Sequence, residues 1–182
     1  MLELERILEV NMKEYLEIGE IVGTHGIKGE VRVYPWADSG EFLLQFDTLY
    51  FDEQGKAPIK IIKSYVHKNV VVMKLEGVEG VEKASALRSK VLWMRREDAE
   101  LEEGAYFIQD LIGLNVLDKD TGKLYGQISD VSATGANDVY HIKGEDGREV
   151  LIAAVPSVVI DIEPEQGLIR IRPLKGSFED EN

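Results

Sequence analysis

Cysteine is absent from the 182 residues. That excludes disulfides, cysteine-ligated iron–sulfur clusters, thiolate zinc sites and a cysteine nucleophile. No apolar run approaches the roughly 20 residues a membrane helix needs, and the first residues are acidic where a signal peptide is basic, so a cytoplasmic protein with no membrane partner is expected. Histidine is scarce. His25, His67 and His141 lie in separate segments and none has HExxH or similar ligand spacing, so no metal is expected. No serine sits in a GxSxG elbow. Carboxylates are so numerous, 34 in all, that a close pair of them says little about acid–base chemistry. No enzymatic activity and no cofactor are expected.

Positive charge is also in short supply, with 21 Lys and Arg against 34 Asp and Glu, a net charge of −13. A protein that grips the nucleic-acid backbone clusters its cations to displace counterions. The deficit is uneven: residues 1–100 carry 14 basic and 18 acidic side chains, residues 101–182 carry 7 and 16. An acidic second half points to a basic partner, more readily a protein than RNA, although acidity also serves solubility alone.

What is present in quantity is alternation broken by glycine. Residues 17–33, EIGEIVGTHGIKGEVRV, read as strand, glycine-rich turn and strand, a β-hairpin with Ile18, Val22, Val31 and Val33 on one face. A phosphate cradle needs a strand feeding a helix through GxGxxG or GxxxxGK[ST]; here glycines three apart lead into another strand. His25 and Lys28 at the tip are either partner contacts or a solvated turn.

Residues 1–11 form a candidate N-terminal extension, with Met12 leading into the first strand. Beyond the hairpin, residues 35–40 break the sheet, Trp36 is assigned to core or rim, and residues 41–46 form a helical turn capped by Ser39. Strands are expected at 49–51, 59–62, 64–66, 70–73 and 91–94, with Val81, Ala84 and Leu87 at helical spacing before the last. Short strands of this kind close into a barrel, which removes free edges. The first domain is therefore 12–96, and the charged stretch 97–105 is a linker. Strands then recur at 111–117, 124–131, 138–143, 149–153, 158–162 and 168–172, giving a second small barrel over 106–176 and an acidic, disordered tail at 177–182. The fold class is all-β, two small β-barrels in tandem.

Two signatures bear on identity. Gly19-x-Ile21-x-Gly23-x-x-Gly26-Ile27-Lys28-Gly29-Glu30 resembles the opening of the ribosome maturation factor RimM family. Downstream, Tyr106-Phe107-x-x-Asp110-Leu111-Ile112-Gly113, Gly126 and Thr134-Gly135-Ala136-Asn137-Asp138-Val139 resemble the PRC-barrel domain of the same family, in order and spacing. The resemblance implies a six-stranded translation-factor-like N-terminal barrel and a C-terminal PRC barrel. It implies a monomer that binds small-subunit ribosomal protein nineteen and the immature 30S subunit, assisting head assembly and 16S rRNA processing without catalysis. Two positions depart from the pattern: Ala153 where a proline follows Leu-Ile, and Ser89 where glycine ends the helix before Val91.

The resemblance also places a partner-binding aromatic pair at Tyr106 and Phe107, the latter standing where a second tyrosine is common. In an extended segment one ring of such a pair packs inward while its neighbour faces out, although both could simply seal the barrel. Asn137 and Asp138 are the next candidates, and turn chemistry is their simpler role. The alternative function is direct contact with ribosomal RNA through His25, Lys28 and Arg32 on the first barrel.

Overall fold

A computed structural model describes residues 12–37, 39–101 and 104–178. Contacts divide the chain into one unit at Lys13–Glu102 and another beginning at Glu103. Residues 1–11 and the last four residues of the acidic tail lie outside the described residues.

In the first unit, β1 (Tyr15–His25), β2 (Glu30–Pro35), β3 (Thr48–Tyr50), β4 (Pro58–His67), β5 (Val70–Leu75) and β6 (Val91–Arg95) are hydrogen-bonded in the closed order β1-β2-β5-β4-β3-β6. One side chain in two points inward, so Leu16, Val31, Val33, Leu49, Val71, Met73, Leu75, Leu92 and Met94 fill the core. The alternation slips in β1. Ile18 and Ile21 are both buried, whereas Val22 is only partly so, because the register shifts between Glu17 and Gly19 against β6 and between Ile21 and Gly23 against β2. Each shift inserts a residue and moves the next part of the strand to the opposite face. A third shift, between Ile61 and Lys63, joins the two strands expected at 59–62 and 64–66 into the ten-residue β4 and leaves Ile62 exposed.

The turn between β1 and β2 requires glycine at its end. Gly29 has φ +84°, and a Cβ there would stand 2.6 Å from the Val78 carbonyl. Lys74 Nζ holds the same turn, donating to the carbonyls of Lys28 (2.8 Å) and Val78 and pairing with Glu79. Residues Gly40–Gln45 form a 3₁₀ turn with Ser39 at its N-cap position, but the Ser39 hydroxyl makes no capping bond. Trp36 is 44% exposed, which excludes it from the core. In the short helix α1 (Gly80–Ser85) only Ala84 is buried. Arg96–Asp98 form another 3₁₀ turn and the Glu100 amide donates to Gln45 Oε1 at 2.7 Å, tying the start of the charged stretch to the first unit.

The second unit contains α2 (Ile108–Leu111), β7 (Asn115–Asp118), β8 (Leu124–Ala133), β9 (Asp138–Lys143), β10 (Glu149–Ala153), β11 (Val159–Glu163) and β12 (Leu168–Ile171). These strands make one mostly antiparallel sheet in the order β10-β9-β8-β7-β12-β11, with β12 and β7 parallel. Its hydrogen-bonded ladder has ends at β10 and β11. The core is Leu111, Leu114, Val116, Ile128, Tyr140, Ile142, Ile152, Val158, Ile169 and Ile171. The strand expected from residue 111 begins only at 115. Residues 108–111 turn into a helix that sends Leu111 into the core, and the Leu114 amide returns to the Leu111 carbonyl at 3.2 Å. Phe178, expected to head a disordered tail, is partly buried and stacks on Tyr125 with centroids 4.0 Å apart and planes 18° apart. Burying an aromatic face offsets the ordering of the residues that carry it.

Candidate partner-binding site

Tyr106 and Phe107 precede α2 directly. Phe107 is extended (φ −70°, ψ 131°) at the helix N-cap and half-buried, while Tyr106 is 39% exposed. The Tyr106 hydroxyl donates to the Ile162 carbonyl of β11 at 3.4 Å, a long bond. Ile108 and Ile112 stand four residues apart and are both exposed, whereas Leu111 and Leu114 between and beyond them are buried. The segment is thus two-faced, with an apolar outer stripe beside Tyr106.

Asn137 and Asp138 lie at the β8–β9 connection. The Asn137 carbonyl accepts from the Thr134 amide (3.2 Å) and hydroxyl (2.8 Å), and Gly135 supplies the positive φ of +85°. The turn is therefore held by Thr134 and Gly135 rather than by the Asn137 and Asp138 side chains, both of which are exposed. That frees an amide and a carboxylate at the rim.

Tyr140 belongs to the core of the second unit. It is 5% exposed, and burial pushes its phenol above the usual range, with Asp138 and then Tyr106 adding to the shift. Asp138 stands two residues before Tyr140 on β9, at a position of the same strand parity. Sequence reasoning misses the outward placement of Ile108 and Ile112. The i, i+4 spacing of the isoleucines is a usable signal, hidden by the strand expected over 111–117.

The remaining candidates are in the first unit. His25 ends β1, Lys28 is exposed at the turn, and Arg32 is exposed on β2, its guanidinium lying where a Cβ on Gly23 would come within 2.8 Å of it. Among the described residues no three His, Asp or Glu side chains are grouped to hold a metal, and no helix is long and apolar enough to cross a membrane.

Comparison with known proteins decides the family. The RimM N-terminal domain model matches residues 16–99 and the RimM PRC barrel domain model matches residues 108–176. The chain belongs to the RimM family. It is 44% identical to the ribosome maturation factor RimM of Clostridium botulinum over 165 residues, 90% of this chain and 97% of the relative. It is 40% identical to the protein of the same name from Clostridioides difficile, over 92% and 100% of the two chains. A solved RimM structure from Pseudomonas aeruginosa is 31% identical and spans 86% of this chain and 96% of its own, with a TM-score of 0.43. In RimM terms, β1–β6 form the N-terminal domain and β7–β12 the PRC barrel domain.

Proposed function

We propose that this RimM-family chain is a non-catalytic, cytoplasmic ribosome maturation factor. It binds small-subunit ribosomal protein nineteen through its second unit and assists assembly of the 30S head and processing of 16S rRNA. The family carries the general role, since its relatives bear the name of ribosome maturation factor. One observation supports the site: Tyr106, Ile108 and Ile112 are all exposed along one short segment of the second unit, and Asp138 is exposed at the β8–β9 connection. An aromatic anchor with apolar neighbours supplies the desolvated centre of an interface, and a carboxylate at its rim suits the basic surface of a ribosomal protein.

Acting without bond chemistry, such a factor works by differential binding. It favours the immature arrangement of the head and loses affinity as the particle matures. Among the described residues one arrangement looks catalytic: Ser132 Oγ lies 2.9 Å from His141 Nε2, and His141 Nδ1 lies 3.5 Å from Glu149. Ser132 sits within the regular strand β8 rather than on a sharp strand-to-helix turn, so the reading stays non-enzymatic.

The test is capture of this chain from a lysate with its ribosomal contacts intact. Recovery of small-subunit protein nineteen and immature 30S particles, in preference to mature subunits, is the expected result. Equal capture of mature and immature subunits would contradict differential binding.

A further inference from the structure

The outer face of β1-β2-β5-β4 in the first unit has features the second-unit site does not use. The register lines up Gly23, Arg32, Val72 and Tyr65 in one cross-strand row and His25, Glu30, Lys74 and Lys63 in the next. Residues opposite one another in antiparallel strands share a face, so these rows lie on one face, with Val72 itself fully buried among its neighbours. The His25 ring meets Tyr65 edge-on at 6.4 Å and His67 at 5.6 Å, and Lys63 Nζ lies 5.5 Å from the Tyr65 centroid. Two residues on from Arg32, Tyr34 is 47% exposed on the same face of β2.

Aromatic rings interleaved with cations have a specific meaning in a chain of net charge −13. Arg32 and Lys63 are exposed on this face, and Lys68 is exposed at the turn beyond His67. Lys74 is spent on the Lys28 and Val78 carbonyls and on Glu79, which leaves Glu30 as the acidic member of the two rows. Clustered cations track phosphates, and exposed rings stack on bases whatever their sequence, because every base has a π-face. A duplex hides those faces within its own stack.

We infer that this face is a binding platform for single-stranded RNA, with Arg32 and Lys63 on phosphates and Tyr34, Tyr65, His25 and His67 stacking against bases. The inference rests on the ribosomal reading only for the choice of RNA as probe, and the second-unit site takes no part in it.

The test is fluorescence anisotropy of the full chain with a labelled single-stranded 12-nucleotide RNA of mixed sequence, over a salt series. Binding of the single strand, little displacement by a duplex of the same sequence, and a logarithmic salt slope of about −0.7 per phosphate contact are expected. Arg32→Ala and Lys63→Ala each make that slope shallower. Tyr34→Leu loses about 5- to 150-fold in affinity while Tyr34→Phe retains it, since phenylalanine keeps the stacking ring. Tyr34 is exposed enough for both variants to fold even if a change at Tyr65 does not, and circular dichroism confirms this. Absence of binding, equal binding of duplex, or indifference to Tyr34→Leu overturns the platform. Failure here leaves capture of ribosomal protein unaffected, so the two readings fail separately.

Discussion

Ser89 occupies a backbone conformation that suits glycine, and replacing it tests how the first unit stores strain. Its φ is +65°, one of two positive values among the described non-glycine residues. Two bonds fix it there: the Ser89 amide donates to the Ile21 carbonyl at 2.7 Å, and the Ile21 amide donates to the Lys90 carbonyl at 2.9 Å. Holding an L-residue left-handed costs about 1–2 kcal/mol. Glycine removes that cost but raises the entropy of the unfolded chain, worth about 0.4–1 kcal/mol in the opposite sense. Ser89→Gly should therefore stabilise the unit by about 0.5–1 kcal/mol, raising its Tm by roughly 2–8 °C for a domain of this size. Both tryptophans, Trp36 and Trp93, lie in the first unit, so fluorescence-monitored unfolding reports that unit selectively. Ser89→Ala, which deletes the hydroxyl but keeps the Cβ, should leave Tm nearly unchanged. An unchanged or lowered Tm for Ser89→Gly, or an equal gain for Ser89→Ala, would refute the reasoning.

Ala153 is the second place where a family pattern meets local geometry. The Ala154 amide bonds the Asp138 carbonyl at 2.8 Å, so alternation along β10 turns the Ala153 N–H away from β9 at the edge of the sheet. Ala153→Pro should be tolerated, with a gain of up to about 1 kcal/mol. Ile152→Pro, which deletes a ladder bond, should cost about 3 kcal/mol or more; similar losses for both in urea unfolding would contradict this register. Asp118 governs part of the acid limb. Its carboxylate accepts from the Thr121 and Asp120 amides and the Tyr125 hydroxyl, and these bonds hold its pKa down from 3.8 to about 2. The stability this contributes is complete above about pH 4 and is lost as pH falls towards 2. Asp118→Asn should flatten the loss of stability between those values in acid unfolding; an unchanged slope would show that the carboxylate is not coupled to folding.

Much of the fold was legible because alternation and glycine placement follow directly from strand geometry. Val31, Val33, Met73 and Leu92 are buried as their spacing predicts. The misreadings cluster where the period breaks. The shift between Glu17 and Gly19 exchanges Val22 for Ile21 in the core, and the bulge near Ile62 makes one strand of two. A bulge adds one residue without any distinctive side chain, so binary patterning does not reveal it. The approach to α2 failed for a related reason: Leu111, Ile112 and Leu114 fit a short apolar strand as well as a helical turn, and only packing separates them. Of the second-unit site, Tyr106 and Asp138 came from a family motif. The reach of the Tyr106 hydroxyl to the Ile162 carbonyl joins segments distant in sequence, which no local pattern encodes.

Affinity for purified small-subunit ribosomal protein nineteen, measured by titration calorimetry beside a thermal melt, tests the proposed function most directly. Tyr106→Ala and Phe107→Ala together should weaken binding at least about 30-fold, the scale of a 2 kcal/mol interface anchor. The midpoint should stay near wild type, since Tyr106 is 39% exposed and Phe107 is only half-buried. Binding that survives the double change, or that falls only in step with the melting temperature, would contradict the account and make the pair part of the core.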